Sequence, residues 1–564
     1  MNLFRIFYTP HLKSRLITLS STLLVLLLIT ACDDNNNNPI FVSEPRVTMA
    51  PNPDTPLAGI LELETDVPTT VSVTIIENIV VNNAQRNVFA PMKIEFDELA
   101  TDHALTLLGF TPGKTFSIEV KITDELGNQT VSDNPLFVNT DPLPEGFPPI
   151  DVTSNPEMME PGVTIFPVRG RGVNTEFGGL LVAVNAVGDV VWYRRFEDVA
   201  YGDVRRMSNG NLLFVENNST ITEINMLGDV VRQWRSLLSD TIDADSILVN
   251  TDVFHHEVFE MPNGNLLTLG VEIRVVDNFP SSDTDPFAPT EFAFEAGDRV
   301  VEFTTNGSTV NEWSLLDMLD PFRIGYGSLL GFWNSSFPEI EQGTRDWSHG
   351  NAVIYDPFDD SIIVSLRHQD AVVKFTRESG ELLWILGPHE NWDTLLFGDF
   401  LLNPVGVDFL WQYHQHAPML TAEGNIIIYD NGNFKATPFD TTLSAANNFS
   451  RAVEFSINED TMEIEQVWEF GEFSDEILYA PFIGDADQLS STGNVLITHG
   501  GTATDADGIP SDNIGAAKIT PRILEVTRDI PAEVVFDLSI VDQTPETTNG
   551  WTVYRSERLP SLYP

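Results

Sequence analysis

Ten histidines stand in a chain of 564 residues, and eight of them fall between positions 255 and 499. Their spacing against a recurring Gly-Asn pair sorts them. His256 precedes Gly264 by eight residues and His416 precedes Gly424 by eight; at the same offset Gly202 precedes Gly210 and Asp485 precedes Gly493. Equivalent positions of a repeat occupy equivalent places in the fold, so His256 and His416 are expected to face one common point. Neighbouring strand residues point to opposite faces, which favours His256 over His255. His349-Gly-Asn351 lies near the same phase, displaced by a longer Asp-Pro-Phe-Asp-Asp turn, and Arg367 follows on the next strand. Three imidazoles, an amide and a guanidinium suit a tetrahedral oxyanion, because arginine offers a rigid fork of donors. Zinc is the competing chemistry: His414-Gln-His416 puts two imidazoles on one face of a strand. The only carboxylate at matched phase, Asp485, belongs to another repeat.

The elements that must hold these residues are themselves repeated. Gly-Asn turns between apolar strands occur at Asn209-Gly-Asn-Leu-Leu, Asn263-Gly-Asn-Leu-Leu, Glu423-Gly-Asn-Ile-Ile and Thr492-Gly-Asn-Val-Leu, with Asp359-Asp-Ser-Ile-Ile as a variant. Such pairs tolerate the positive φ that tight hairpins demand. A second element ends in tryptophan: Gly188-Asp-Val-Val-Trp, Gly228-Asp-Val-Val-Arg-Gln-Trp, Gly307-Ser-Thr-Val-Asn-Glu-Trp, Gly380-Glu-Leu-Leu-Trp and Glu463-Ile-Glu-Gln-Val-Trp. Ala532-Glu-Val-Val-Phe is a degenerate sixth copy. The first copy lacks its own upstream hairpin, while the C-terminus offers a spare strand, Trp551-Thr-Val-Tyr-Arg. Closing a ring with that strand removes an exposed edge. Residues 160–564 therefore predict an all-β fold, a six-bladed β-propeller.

Ahead of it, residues 41–140 read as strands. Val71-Ser-Val-Thr-Ile-Ile and Phe116-Ser-Ile-Glu-Val-Lys-Ile alternate apolar and polar, the period of a half-buried strand. The stretch Leu107-Leu-Gly-Phe-Thr-Pro-Gly-Lys-Thr-Phe resembles the late strands of a fibronectin-III-like sandwich. Residues 141–159, opening on Asp141-Pro-Leu-Pro-Glu-Gly-Phe-Pro-Pro149, read as a linker.

The only cysteine is Cys32, so no intramolecular disulfide forms. Residues 1–31 carry Arg5, Lys13 and Arg15, then an apolar run from Leu23 to Ile29, and Ile29-Thr-Ala-Cys32 is similar to a bacterial lipobox. Lipidation of Cys32 would anchor the chain to a membrane, with residues 32–40 as a polar tether. The address is the periplasmic face of a Gram-negative envelope, and Asp33 favours the inner membrane. The formal net charge of −53 repels phosphate polyanions, so no nucleic-acid partner is expected.

The run from Asp346-Trp-Ser-His-Gly-Asn-Ala-Val-Ile-Tyr-Asp-Pro-Phe through Leu366-Arg-His-Gln-Asp to Trp384-Ile-Leu-Gly-Pro-His-Glu-Asn-Trp392 resembles the bacterial arylsulfate sulfotransferase family. His255-His256-Glu-Val-Phe-Glu-Met-Pro-Asn-Gly-Asn and Gln415-His416-Ala-Pro-Met-Leu fit the same pattern. The resemblance covers about residues 160–560. It implies sulfuryl transfer from an aryl sulfate to a phenol without a nucleotide donor or any other cofactor, by a ping-pong route through a sulfohistidine. His416 matches the nucleophile. His256, His349 and Arg367 match the groups that act on the sulfuryl oxygens, with Asn351 and His255 as substrate-binding residues. A homodimer is a further family expectation. Enterobacterial members carry a disulfide near the site that Cys32 alone cannot supply. The alternatives are a lipid-anchored, non-catalytic binding propeller and a histidine-rich metal-dependent hydrolase.

Overall fold

The structure, a computed structural model, describes residues 38–81, 84–87, 91–173, 177–197, 202–242, 246–471, 477–541 and 550–564. Cys32 and the apolar run before it lie outside the described residues.

Six sheets follow one another from Val163 onward. The innermost strands of the second to sixth are Val204–Arg206, His255–Glu260, Gly350–Asp356, His416–Leu420 and Asp485–Gln488. The first sheet takes its innermost strand from the far end of the chain, as Gly550–Val553 and Glu557–Leu559 pair in turn with Val163–Arg171. Each sheet packs on the next, and the sixth packs on the C-terminal strand of the first, so the ring is closed. We number these sheets as blades one to six. The turn glycines Gly210, Gly264, Gly424 and Gly493 take φ of 85°, 82°, 83° and 73°, a region where a Cβ is strained.

The repeated tryptophans staple one blade to the next. Trp192 Nε1 donates to the Met226 carbonyl at 2.9 Å, Trp234 to the Thr305 carbonyl at 3.1 Å, and Trp384 to Glu459 at 2.8 Å. Each ring adds buried apolar area between sheets while its N–H finds an acceptor across the seam. Truncating one to alanine is expected to cost about 3–5 kcal/mol.

The N-terminal region departs from a simple two-sheet sandwich. It is one seven-stranded sheet in which Gly59–Val81 pairs with four other strands. Register breaks on either side of Thr69 let this one strand serve both ends of the sheet, enclosing a core of Leu61, Val71, Val73, Ile118 and Val120. The segment expected as linker is also partly built in: Ile150–Ser154 pairs with Val534–Ile540 at the outer edge of blade six. The N-terminal region docks on the ring through Asn52 to Asp229 at 3.1 Å and through the Leu108 amide to the Tyr563 hydroxyl at 2.7 Å.

Candidate active site

His256, His349 and His416 stand at or just before the start of the innermost strands of blades three, four and five, and Arg367 follows the second strand of blade four. All four line one cavity of about 440 Å³ together with His255, Phe332 and Tyr554. The pairing registers break at equivalent places in the three blades, between His255 and Val258, Gly350 and Ala352, and His416 and Met419. The backbone turns left-handed at the same points: φ is 61° at His256, 47° at His349 and 50° at Ala417. Such conformations cost on the order of 1–3 kcal/mol each and persist where surrounding structure imposes them. Here they re-aim side chains into the cavity.

Each imidazole is held by a different partner. His416 Nδ1 lies 2.6 Å from Asn431 Oδ1, and both hydrogens of the Asn431 amide are committed, to the carbonyls of Ala480 at 2.8 Å and Ile483 at 2.9 Å. Asn431 therefore only accepts from the ring, so His416 carries its hydrogen on Nδ1 and a lone pair on Nε2. His349 Nδ1 meets Asp346 Oδ2 at 2.6 Å, and Trp333 Nε1 donates to the other carboxylate oxygen at 3.0 Å. His256 Nδ1 lies 2.8 Å from His255 Nδ1, and the rings of His256 and His349 are 5.0 Å apart. The Arg367 guanidinium donates to the Pro481 carbonyl at 3.1 Å.

Burial, then the nearby Arg367, holds the His416 imidazole well below its ordinary range despite the Asn431 bond. Burial and then His349 do the same for His256. Both rings are neutral at neutral pH. Burial also pulls Arg367 down to about 10, with Asp370 and Asp346 opposing it, and the guanidinium stays charged.

Two expectations need correction. Asn351 does not line the cavity: its amide nitrogen donates to the Gln415 carbonyl at 2.8 Å. The register breaks after Gly350, and this bond fixes the strand end that carries His416. His255, disfavoured by strand parity, shares the cavity wall with His256, because the left-handed turn at His256 breaks the alternation. Nor does the His414–His416 pair present two free nitrogens. His414 spends Nδ1 on Asp370 at 2.9 Å and Nε2 on the Tyr326 carbonyl at 3.0 Å. Asp346, His349 and His368 do bring three donor atoms within 4.8 Å, and these atoms already hydrogen-bond: His349 to the Asp346 carboxylate, His368 Nδ1 to the Asp346 carbonyl at 2.8 Å.

Sequence reasoning missed the supporting layer of Asp298, Asp346 and Asn431, and it missed Tyr554. The Tyr554 hydroxyl is buried without a partner among the described residues. Its signal was present in the closing strand, whose inward kink between Val553 and Glu557 carries Tyr554 and Arg555.

The family model described as Arylsulfotransferase (ASST) matches residues 133–553. Arylsulfate sulfotransferase AssT of Escherichia coli O6:H1 (strain CFT073) is 29% identical over 287 residues, 44% of this chain and 45% of its own. Its namesake from Lelliottia amnigena is 28% identical over 224 residues, 33% of this chain and 36% of its own. The chain thus spans less than half the length of the curated relatives it matches. Among solved structures, the periplasmic gluconolactonase PpgL of Pseudomonas aeruginosa is 12% identical, with 84% of this chain and 96% of that one covered at a TM-score of 0.30. With the family model matched over more than half of its length, the chain belongs to the arylsulfotransferase family.

Proposed function

We propose that this protein moves a sulfuryl group from an aryl sulfate to a phenol through a transient sulfohistidine at His416. One observation carries the reading: the Asn431 bond leaves Nε2 of a neutral, buried His416 as a lone pair in a cavity walled by cationic and N–H donors. A nucleophile that must later leave is well served by neutral imidazole. In the first half-reaction His416 Nε2 attacks sulfur and the bond to the aryl oxygen breaks. His349, held at Nδ1 by the Asp346 carboxylate, serves as the general acid and gives its Nε2 hydrogen to the departing phenolate. In the second, the acceptor phenol returns that proton to His349 as its oxygen attacks sulfur and the S–N bond breaks. Arg367 and His256 hold the sulfuryl oxygens, where fixed donors in a dry site act most strongly. Phe332 and Tyr554 flank the rings.

The test is incubation with 4-nitrophenyl sulfate, with and without phenol, followed by peptide mapping. A sulfuryl mass gain at His416 that phenol discharges is the expected result. Full activity in His416→Ala overturns the reading. We further place the protein on the periplasmic face of a Gram-negative envelope, lipidated at Cys32, with Asp33 favouring the inner membrane. Equal palmitate labelling of wild type and Cys32→Ala removes that placement.

A further inference from the structure

The contact between His255 and His256 has an unusual proton count. Their Nδ1 atoms are 2.8 Å apart, so one hydrogen lies between them. His255 Nε2 faces two acceptors, Asp298 Oδ1 at 3.2 Å and the Gly270 carbonyl at 3.3 Å, and therefore carries a hydrogen. Asp298 is itself fully engaged, accepting from the Ser348 hydroxyl and the Gly350 amide. Burial pushes its carboxyl up, and the bonds from His255, Ser348 and Gly350 together outweigh burial and hold it below the usual carboxylate range.

With His256 neutral, two arrangements satisfy these bonds. In one, His256 donates its Nδ1 hydrogen to a neutral His255, and the His256 Nε2 left for the cavity is a lone pair that repels an anion. In the other, His255 is doubly protonated beside Asp298 and donates to His256, whose Nε2–H then points at the ligand. An anion selects the second. Resting on the reading that the cavity binds a sulfate ester, we propose that Asp298, His255 and His256 form a relay that takes up one proton as the anion enters and makes His256 a donor to the sulfuryl oxygens.

The proton balance closes. A solvent proton adds to His256 Nε2, the Nδ1 hydrogen crosses to His255 Nδ1, and the new charge rests on His255 next to Asp298. His256 ends neutral, in keeping with the burial and the neighbouring His349, His255, His416 and Arg555 that hold it well below its ordinary range. Trp333 packs its ring 4.9 Å from His255, and Tyr554 lies 6.3 Å from His256; neither supplies a competing charge. His255 and Asp298 are thus positioning residues that act through His256.

The experiment is the pH profile of kcat/KM for 4-nitrophenyl sulfate at saturating phenol. Wild type is expected to lose kcat/KM as pH rises with two protons, one on the relay and one on the general acid His349. Asp298→Asn should move the relay limb down by about one pH unit or more, since a carboxylate neighbour raises a histidine. His255→Asn supplies a permanent amide donor to His256 Nδ1; its profile should keep only the His349 limb and lie about tenfold above that of His255→Phe, the worth of a charge-assisted bond. A full wild-type profile, both limbs unchanged, in Asp298→Asn and His255→Asn overturns the relay. Calorimetry of wild type and His255→Asn with inorganic sulfate, in two buffers of different ionisation enthalpy, is the second readout. Uptake of about one proton in wild type that His255→Asn lacks supports the relay; no uptake, or uptake that His255→Asn retains, overturns it. A wild type that binds sulfate with proton uptake yet never releases nitrophenol would sink the transferase reading and leave the relay standing.

Discussion

Arg555 Nη2 donates to the backbone carbonyl of Asn351 at 2.8 Å, tying the closing strand of blade one to the innermost strand of blade four across the ring. The same guanidinium meets Asp203 at 3.0 Å and Glu257 at 3.2 Å. Glu257 in turn accepts from the Val353 amide at 3.0 Å. Burial alone would disfavour the Arg555 charge, and Glu257 and Asp203 more than restore it.

Arg555→Met leaves Asp203 and Glu257 to share Arg205 alone, a loss expected to cost on the order of 3 kcal/mol. Thermal melting should place this variant well below wild type, with Arg555→Lys between them. Equal midpoints for wild type and Arg555→Met would show that the network is not holding the ring.

Asn431→Ala frees the His416 ring to place its hydrogen on either nitrogen. We expect kcat to fall on the order of 100-fold or more, as wrong-tautomer variants of histidine bases do, with little change in KM for the donor. Single-turnover release of nitrophenol separates this from a binding defect.

Phe332 is 52% exposed at the cavity mouth, with its ring 4.8 Å from that of His349. An aromatic pair is worth about 0.5–1.5 kcal/mol beyond its area. Phe332→Ala is therefore expected to raise KM for aryl donors about 2- to 10-fold and to leave kcat nearly as it is. Steady-state kinetics with donors of increasing ring size checks it, the largest ring losing most.

His414 and Asp370 share a buried proton. The Tyr326 carbonyl requires a hydrogen on His414 Nε2, so a neutral ring offers Nδ1 as an acceptor and Asp370 must bring the hydrogen between them. Burial lifts Asp370 to about 7, against the pull of the His414 amide, Arg323 and Arg367. A carboxyl raised in the folded state contributes stability that is complete below its unfolded value near 4 and is lost as pH rises through about 7. Melting midpoints should fall between pH 5 and pH 8, and Asp370→Asn should remove that part of the slope. Parallel slopes in the two proteins would refute the shared proton.

The sequence was most informative where a repeat constrained it. Gly210, Gly264, Gly424 and Gly493 occupy the turns their Asn neighbours announced, and the eight-residue offset placed His256 and His416 on one cavity wall. Parity failed at His255, and repeat phase at Asn351, where the register breaks, since a one-residue break reverses which side chains face inward. Asp298, Asp346 and Asn431 were not legible. Asp298 and Asn431 are not repeat-phase residues, and each acts on a ring brought to it by folding: Asp298 reaches Ser348 fifty positions away. The seven-stranded N-terminal sheet was hidden because alternation reports which face is buried and not how many partners a strand has.

The kinked strand that closes blade one also carries Tyr554 and Arg555, so the catalytic chamber and the circular architecture share a final component. A chain lacking that strand would retain every histidine named above, yet it would be missing one wall of the chamber and the tether on Asn351. Under the proposed function, turnover therefore reports on topological completion, and trimmed or partly opened rings are expected to be silent.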